Sequence, residues 1–238
     1  MTDRLYFRQL LSGRDFATDD PIARQMVNFV YLIGDRETGE AVVVDPAYGI
    51  GDLLDIVAAD DMRLTGALVT HYHPDHVGGD LGGWSIEGLA ELLALDDVDV
   101  KVHVQSEEAH GVKRVTGASD SDLVLHSSGD TLTVGAIPIT LIHTPGHTPG
   151  SQCFFVDGRL VAGDTLFLDG CGRTDLPGSD VEQMYDSLQR LASLPPDTIV
   201  YPGHRYSLPS SGSMEAIREQ NIVYRPRSKE QWLMMFGQ

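Results

Sequence analysis

Residues 70–76 read THYHPDH, which places three histidines and one aspartate within six positions. On an extended segment, side chains two positions apart point the same way, so His71 and His73 can face one point in space. The proline that follows them favours a turn, so Asp75 and His76 can reach a second point. Imidazole and carboxylate groups are good metal ligands. The stretch therefore predicts ligands for two metal ions that lie close together.

Three more candidate ligands occur in loops that contain glycine or proline. His147 lies in TPGHTPGS, Asp164 follows a glycine in VAGDTLF, and His204 closes YPGH. Glycine lets the backbone approach an ion closely, and proline stiffens a loop so that the ligand is held ready. These donors suit zinc, iron or manganese: two histidines with a carboxylate suit ferrous iron, and three histidines suit catalytic zinc. We predict a metal centre formed by His71, His73, Asp75, His76, His147, Asp164 and His204.

Hydrophobic periodicity predicts strands that end close to these ligands. Residues 64–70 form an apolar run that ends before His71, and residues 198–201 form a short run before the YPGH motif. Further strands are predicted at 29–34, 40–44, 100–104, 131–134, 137–142, 153–156 and 159–162. Helices are predicted at 50–59, 85–95 and 180–192, the last with Asp180 as its N-cap. This mixture predicts a layered α/β (α+β) architecture in which loops along one sheet edge build the site.

The composition limits the partners that we expect. The 238 residues include 35 acidic and 17 basic residues, which gives a formal net charge of -18. This charge repels nucleic acid and anionic membranes. The sequence shows no apolar run of membrane-spanning length, no signal-peptide pattern at its start, and only two cysteines. We therefore expect a cytoplasmic protein with a small-molecule substrate, and the sequence does not decide between a monomer and a homodimer.

The motifs THYHPDH, TPGHTPGS, VAGDTLF and YPGH resemble the successive motifs of the metallo-β-lactamase superfamily, from about Phe29 to His204. The resemblance implies an αββα sandwich with metals at one edge of the paired sheets. It also implies two bound ions, the first held by His71, His73 and His147. The second would be held by Asp75, His76 and His204, with Asp164 bridging both.

The stretch GDTLFLDGCGRTDLPGSDVEQMYDSL, at residues 163–188, resembles the small glyoxalase II-like hydrolases of this superfamily. This resemblance implies a thioesterase in which Asp75 and Asp164 position a metal-activated hydroxide. Two divalent ions are implied, with zinc favoured over iron and manganese. The β-lactamase branch usually has cysteine where Asp164 stands, so hydrolysis of antibiotics is not expected.

The GCGRTD part, at residues 170–175, also resembles persulfide dioxygenases, which use one ferrous iron. This alternative implies that His71, His147 and Asp164 bind the iron. Its substrate would be glutathione persulfide or a related low-molecular-weight persulfide. The ligand positions fit both branches and do not decide between them.

Two residues outside the ligand set are candidate substrate contacts. Arg173 can reach the cleft and hold a substrate carboxylate, or it can pair with Asp169 or Asp175. Tyr206 follows the last histidine closely and can border the substrate or pack on its neighbours. Both residues are predicted here as substrate-binding groups.

The C-terminal residues are expected to form a tail at 206–238 that packs on a domain spanning 1–205. A helix is predicted at 213–221 and an apolar patch at 232–236. Glyoxalase II proper has a helical domain at this position, with basic residues that grip glutathione. The tail is shorter than that domain, so glutathione as the substrate thiol is not favoured.

Overall fold

The computed structural model describes residues 4–96 and 98–237. Residues 4–96 and 98–126 form eight strands and five helices. The strands are β1 Leu5–Leu11, β2 Phe29–Asp35, β3 Glu40–Val44, β4 Arg63–Leu68, β5 Gly79–Leu81, β6 Trp84–Ile86, β7 Lys101–Gln105 and β8 Leu123–His126. The helices are α1 Pro21–Met26, α2 Ile50–Ala59, α3 Pro74–Val77, α4 Leu89–Leu93 and α5 Ala109–Thr116.

Residues 127–237 form six strands, three α-helices and a 3₁₀ turn at Ile222–Tyr224. The strands are β9 Thr131–Val134, β10 Ile137–His143, β11 Gln152–Val156, β12 Arg159–Gly163, β13 Ile199–Pro202 and β14 Gly212–Ser213. The helices are α6 Val181–Ala192, α7 Met214–Gln220 and α8 Lys229–Phe236. The side chain of Asp180 accepts from the amides of Glu182 and Gln183, so it caps α6 as predicted.

Each part of the chain forms its own six-stranded sheet. The first sheet has the order β1-β2-β3-β4-β7-β8 and the second the order β14-β13-β12-β11-β10-β9. In the first sheet β1, β2 and β3 are antiparallel, whereas β3, β4, β7 and β8 are parallel neighbours. In the second sheet β12 and β13 are parallel, with α6 between them in the chain. Strands β5 and β6 form a separate hairpin.

Strand β2 shows why the sheets pack in layers. All seven of its residues are buried. Phe29, Tyr31 and Ile33 belong to the apolar cluster between the two sheets, and Val30 and Leu32 to the cluster beneath the helices of the first sheet. Successive side chains of a strand alternate between faces, so β2 must be apolar on both. Helices α6 and α8 cover the outer face of the second sheet. The result is the expected αββα sandwich.

The predicted elements agree with the structure to within two residues, with one exception. The predicted helix at 85–95 is wrong in its first part, because residues 84–86 form β6 and α4 covers only Leu89–Leu93. Gly88, at φ -175°, lies so close to the preceding turn that a Cβ on it would overlap the carbonyl oxygen of Val77. This contact between distant backbone segments delays the start of the helix. Strands β1, β5, β6, β8 and β14 and helices α1, α3, α5 and α8 were not predicted, although the apolar patch predicted at 232–236 lies within α8.

The C-terminal residues pack on the second sheet through α8. The side chain of Trp232 is fully buried, and its ring centroid lies 5.8 Å from that of Tyr185 in α6 and 4.8 Å from that of Phe236. The division of the chain at residue 205 stays a prediction. Within the described residues, none of the helices has both the length and the apolar character needed to cross a bilayer.

Candidate metal centre

The loop after β4 changes direction at Pro74, where α3 begins. His73 is still extended, with φ -65° and ψ 142°, whereas the amide of His76 already donates to the carbonyl of His73 at 2.9 Å. Proline suits the first position of a helix because its φ is fixed and it has no N–H to satisfy. His71 and His73 therefore precede the turn, and Asp75 and His76 lie within it.

The second sheet supplies the other three candidates from the loops at the ends of its strands. His147 lies in the loop between β10 and β11, Asp164 directly follows β12, and His204 follows β13. Gly203 allows the last two to meet, because a Cβ at this position would overlap Oδ1 of Asp164. The backbone of His204 also forms a bridge with Asn28, which joins the two sheets at this edge.

The seven candidate ligands converge at this edge in two groups. Within each group the ligand atoms lie within 4.8 Å of one another, and the groups are His71, His73 and His147, and Asp75, His76 and His204. Asp164 lies between them: its Oδ1 is 3.5 Å from Nε2 of His76, and its Oδ2 is 3.8 Å from Nε2 of His147. Asp45 forms a further group with His71 and His76.

The polar atoms at the centre of these groups need a cation. Nε2 of His71 and Oδ1 of Asp164 are buried and have no hydrogen-bond partner among the described residues. Nε2 of His147 is 3.0 Å from Nδ1 of His73, so ring nitrogens from two different loops meet at this point. Buried polar atoms without partners are costly. The residues therefore fit a divalent metal centre.

The ring nitrogens that face away from the centre are held by other groups. Four histidines each use Nδ1 for such a contact, which orients Nε2 towards the centre. The contacts are His71 with Oγ1 of Thr70 at 3.0 Å, His76 with Asp45 at 2.9 Å, His147 with the carbonyl of Arg173 at 2.8 Å, and His204 with the carbonyl of Met26 at 2.8 Å. Asp45 was not predicted as a site residue, although it directly follows the strand β3.

The electrostatics favour the protonation states that bind metals at two histidines and two aspartates, but not at His204. Burial and the neighbouring imidazoles hold the pKa of His71 well below its ordinary value and lower the pKa of His73 to about 4. Burial disfavours ionisation of Asp75 and Asp164, but neighbouring imidazoles outweigh it and lower the pKa of both. The two carboxylates in turn outweigh burial at His204 and raise its pKa. Metal binding there must release a proton.

Asp75 is oriented by two buried residues that the sequence analysis missed. Nδ2 of Asn28 donates to Oδ2 of Asp75 at 3.1 Å, and the hydroxyl of Tyr48 donates to Oδ1 of Asn28 at 3.1 Å. Tyr48 is buried and has a φ of 69°, which is rare for a bulky residue. No local pattern marks either residue.

A buried carboxylate joins two of the ligand loops. Glu108 accepts hydrogen bonds from the amide of Tyr72 at 2.7 Å, from Oγ1 of Thr148 at 2.8 Å and from the amide of Gly150 at 2.7 Å. Tyr72 lies between two candidate ligands, and Thr148 follows His147. Burial raises the pKa of Glu108 to about 7 despite these donors.

A cleft of about 750 Å³ opens above the candidate ligands. Arg173 lines it and also donates two hydrogen bonds to Asp175, at 2.9 and 2.7 Å. Tyr206 is 60% exposed and stacks on the ring of His204, with centroids 4.9 Å apart and planes 4° apart. Phe167 packs edge-on against Tyr206 at 5.1 Å. Both predicted substrate contacts thus lie at the cleft, and their contact with substrate stays a prediction.

Comparison with known proteins gives a consistent result. Residues 24–204 match the family model of the metallo-beta-lactamase superfamily. The probable polyketide biosynthesis zinc-dependent hydrolase BaeB of Bacillus velezensis is 33% identical over 207 residues, which cover 87% of this chain and 85% of that protein. A hydroxyacylglutathione hydrolase of Tolumonas auensis is 36% identical over 203 residues, covering 85% of this chain and 71% of that protein.

A solved structure extends the likeness to almost the whole chain. The crystal structure of ETHE1 from Myxococcus xanthus is similar with a TM-score of 0.77 and 30% identity, covering 98% of this chain and 90% of that one. The match with the family model, the relatives and the converging histidines and aspartates agree with one another. The chain belongs to the metallo-β-lactamase superfamily, in its glyoxalase II-like branch.

Proposed function

We propose that the protein is a glyoxalase II-like thioesterase that uses two divalent metal ions, with zinc favoured. His71, His73 and His147 would hold one ion, Asp75, His76 and His204 the other, and Asp164 would contact both. The observation that carries this proposal is the position of Asp164 between the two groups. Its Oδ2 lies 3.8 Å from Nε2 of His147 in one group and 3.3 Å from Nε2 of His204 in the other. Bound divalent ions would supply a hydroxide nucleophile at neutral pH and positive charge beside the thioester carbonyl. The name of BaeB, a zinc-dependent hydrolase, supports zinc.

The chain's own groups would orient the nucleophilic water and the substrate. Asp75 and Asp164 have lowered pKa values, so they are ionised and can accept hydrogen bonds from the attacking water. Oδ2 of Asp75 accepts from Asn28 and lies 3.4 Å from Nε2 of His204, so this oxygen is held beside the other candidate ligands. Tyr206 and Phe167 would form an apolar wall beside the acyl group. The leaving thiolate belongs to an acid with a pKa of about 8.5, so its departure needs no general acid.

The alternative is a persulfide dioxygenase with one iron held by His71, His147 and Asp164. One contact fits this alternative as well as the thioesterase: the carbonyl of Arg173, within the GCGRTD loop, accepts from Nδ1 of His147 at 2.8 Å. The loop that resembles persulfide dioxygenases therefore orients one of the three residues that would bind the iron. Its substrate would be a low-molecular-weight persulfide such as glutathione persulfide.

Metal content and two assays distinguish these functions. Protein purified without chelators should contain two zinc ions and hydrolyse S-lactoylglutathione or a smaller thioester. One iron, with oxygen uptake in the presence of glutathione persulfide, would replace the proposal by its alternative. Asp164→Ala should lose metal and activity while keeping its circular dichroism spectrum, and Asp169→Ala, an exposed change on the same cleft, should keep both. A fully active, metal-replete Asp164→Ala would refute the bridging role.

The remaining proposals concern location and organisation. We propose that the partner molecule is a small thioester. We propose neither nucleic acid nor an anionic membrane as a partner, because the net charge of -18 repels both. We also propose a cytoplasmic location, with residues 1–205 as the catalytic domain and 206–238 as a tail. Sedimentation would distinguish a monomer from the homodimer that the sequence left open.

A further inference from the structure

The wall of the cleft formed by α5 contains a cation that the proposed reaction does not use. Arg114 lies near the C-terminus of α5 and lines the cleft together with His73 and Asp75. Its guanidinium carbon is 5.4 Å from the centroid of the Tyr72 ring. Arg114 is exposed to solvent, so an incoming molecule can reach it.

The Tyr72 ring beneath Arg114 is fixed by its surroundings. A Cβ at Gly111 of the same helix would overlap the ring, so glycine is what lets the ring pack against α5. The hydroxyl of Tyr72 donates to the carbonyl of Pro177 at 3.2 Å, across the cleft wall. A cation over a fixed aromatic face is held in position without being neutralised, since such contacts are worth about 0.5–1 kcal/mol at exposed sites. Arg114 is therefore preorganised and still charged.

The charge of Arg114 is also unpaired. Among residues 4–96 and 98–237 it has neither an ion pair nor a hydrogen-bonded carboxylate, although the chain carries 35 acidic residues. Arg173, the other arginine of the cleft, already binds Asp175 through two nitrogens. Guanidinium groups bind carboxylates with two parallel hydrogen bonds. The free guanidinium of the cleft is thus that of Arg114.

We infer that Arg114 binds a carboxylate in the thiol part of the substrate and makes the enzyme selective for anionic thioesters. This inference rests on the proposed function, because it assumes that the cleft takes a thioester. The acyl carbonyl would lie at the candidate ligands on the cleft floor, while the carboxylate lies at the α5 wall. Arg114 would thereby set both the affinity and the direction in which the substrate enters.

The first test uses two thioesters that share an acyl group, S-acetyl-3-mercaptopropionate and the neutral S-acetyl-3-mercaptopropionamide. With the zinc-loaded protein, kcat/KM should be about tenfold higher for the carboxylate, as expected for one charged hydrogen-bonded contact. Arg114→Gln should remove this preference by raising KM for the carboxylate. Lys113→Gln is the matched control, because Lys113 lies on the same helix and pairs with Asp120 at 2.5 Å.

A binding measurement separates this inference from the proposed function. If no thioester is hydrolysed, the proposed function fails, but calorimetry with the thioethers 3-(ethylthio)propanoate and 3-(ethylthio)propanamide still tests Arg114. The wild type should bind the carboxylate more tightly than the amide, and Arg114→Gln should bind both equally. The inference is overturned if Arg114→Gln keeps the preference, if Lys113→Gln loses it equally, or if only Arg173→Gln loses it.

Discussion

Replacing Glu108 by glutamine tests how a buried carboxylate affects the ligand loops that it joins. Glu108 is 1% exposed, and burial raises its pKa from 4.5 to about 7. Between these two values the folded protein keeps a proton that the unfolded chain has lost. The stability that Glu108 contributes is therefore complete below pH 4.5 and is lost as the pH rises towards 7. One pKa unit corresponds to about 1.4 kcal/mol, so the loss should be roughly 3 kcal/mol.

Urea unfolding of the wild type and of Glu108→Gln, followed between pH 4.5 and 8, measures this loss. Glutamine has nearly the same shape and does not titrate, and all other groups are common to both proteins. The free energy of unfolding of the wild type minus that of the variant should therefore fall by roughly 3 kcal/mol over this range. A chelator keeps metal binding from adding its own pH dependence. Exposed Glu107→Gln is the matched control and should give a flat difference.

A difference that stays constant or rises with pH would refute the reasoning. It would mean that the three hydrogen-bond donors around Glu108 outweigh its burial and keep the carboxylate ionised in the folded protein. The same variant reports on the site. If the carboxylate fixes the spacing of the two loops, Glu108→Gln should bind zinc less tightly than the wild type. This should hold even at a pH where the two proteins have the same free energy of unfolding.

Three further results are expected. Tyr48→Phe removes the hydroxyl that orients Asn28, so zinc affinity in chelator competition should fall about tenfold, and an unchanged affinity would contradict this. Trp232→Ala should lower the free energy of unfolding in urea by about 3–5 kcal/mol, while exposed Met234→Ala changes it by under about 0.5 kcal/mol. Burial and a neighbouring imidazole lower the pKa of His103 from 6.5 to about 4. Stability should therefore fall as the pH drops between these values, and parallel pH profiles for the wild type and His103→Gln would contradict it.

The candidate ligands could be identified from the sequence because each lies in a short, distinctive stretch. THYHPDH holds four of them, and glycine or proline accompanies His147, Asp164 and His204. These local patterns reflect local needs, namely a turn, a tight backbone approach and a stiff loop. The αββα sandwich was predicted from the resemblance of these motifs to those of the metallo-β-lactamase superfamily. Periodicity alone predicted only a layered arrangement of helices and strands.

The residues that hold the ligands in place could not be identified in this way. Their contacts are with residues 20 to 47 positions away in the chain, as seen for Asn28, Tyr48 and Glu108. None of the three lies in a sequence motif that marks it as part of a site. The helix predicted at 85–95 failed for the same reason, since Gly88 is held by the turn that contains Val77. Long-range packing, and not local periodicity, decides these positions.

The division of the two sheets between successive parts of the chain has a consequence for assembly. All strands of the first sheet precede residue 127, and all strands of the second follow residue 130. The proposed ligands divide in the same way, with residues 71–76 on one side and 147, 164 and 204 on the other. A metal ion bound by ligands from both parts of the chain would stabilise their association by about 4 kcal/mol when the free metal concentration is a thousand times its Kd. Two polypeptides made by cutting the exposed turn at 127–130 should thus bind each other more tightly with zinc than with a chelator.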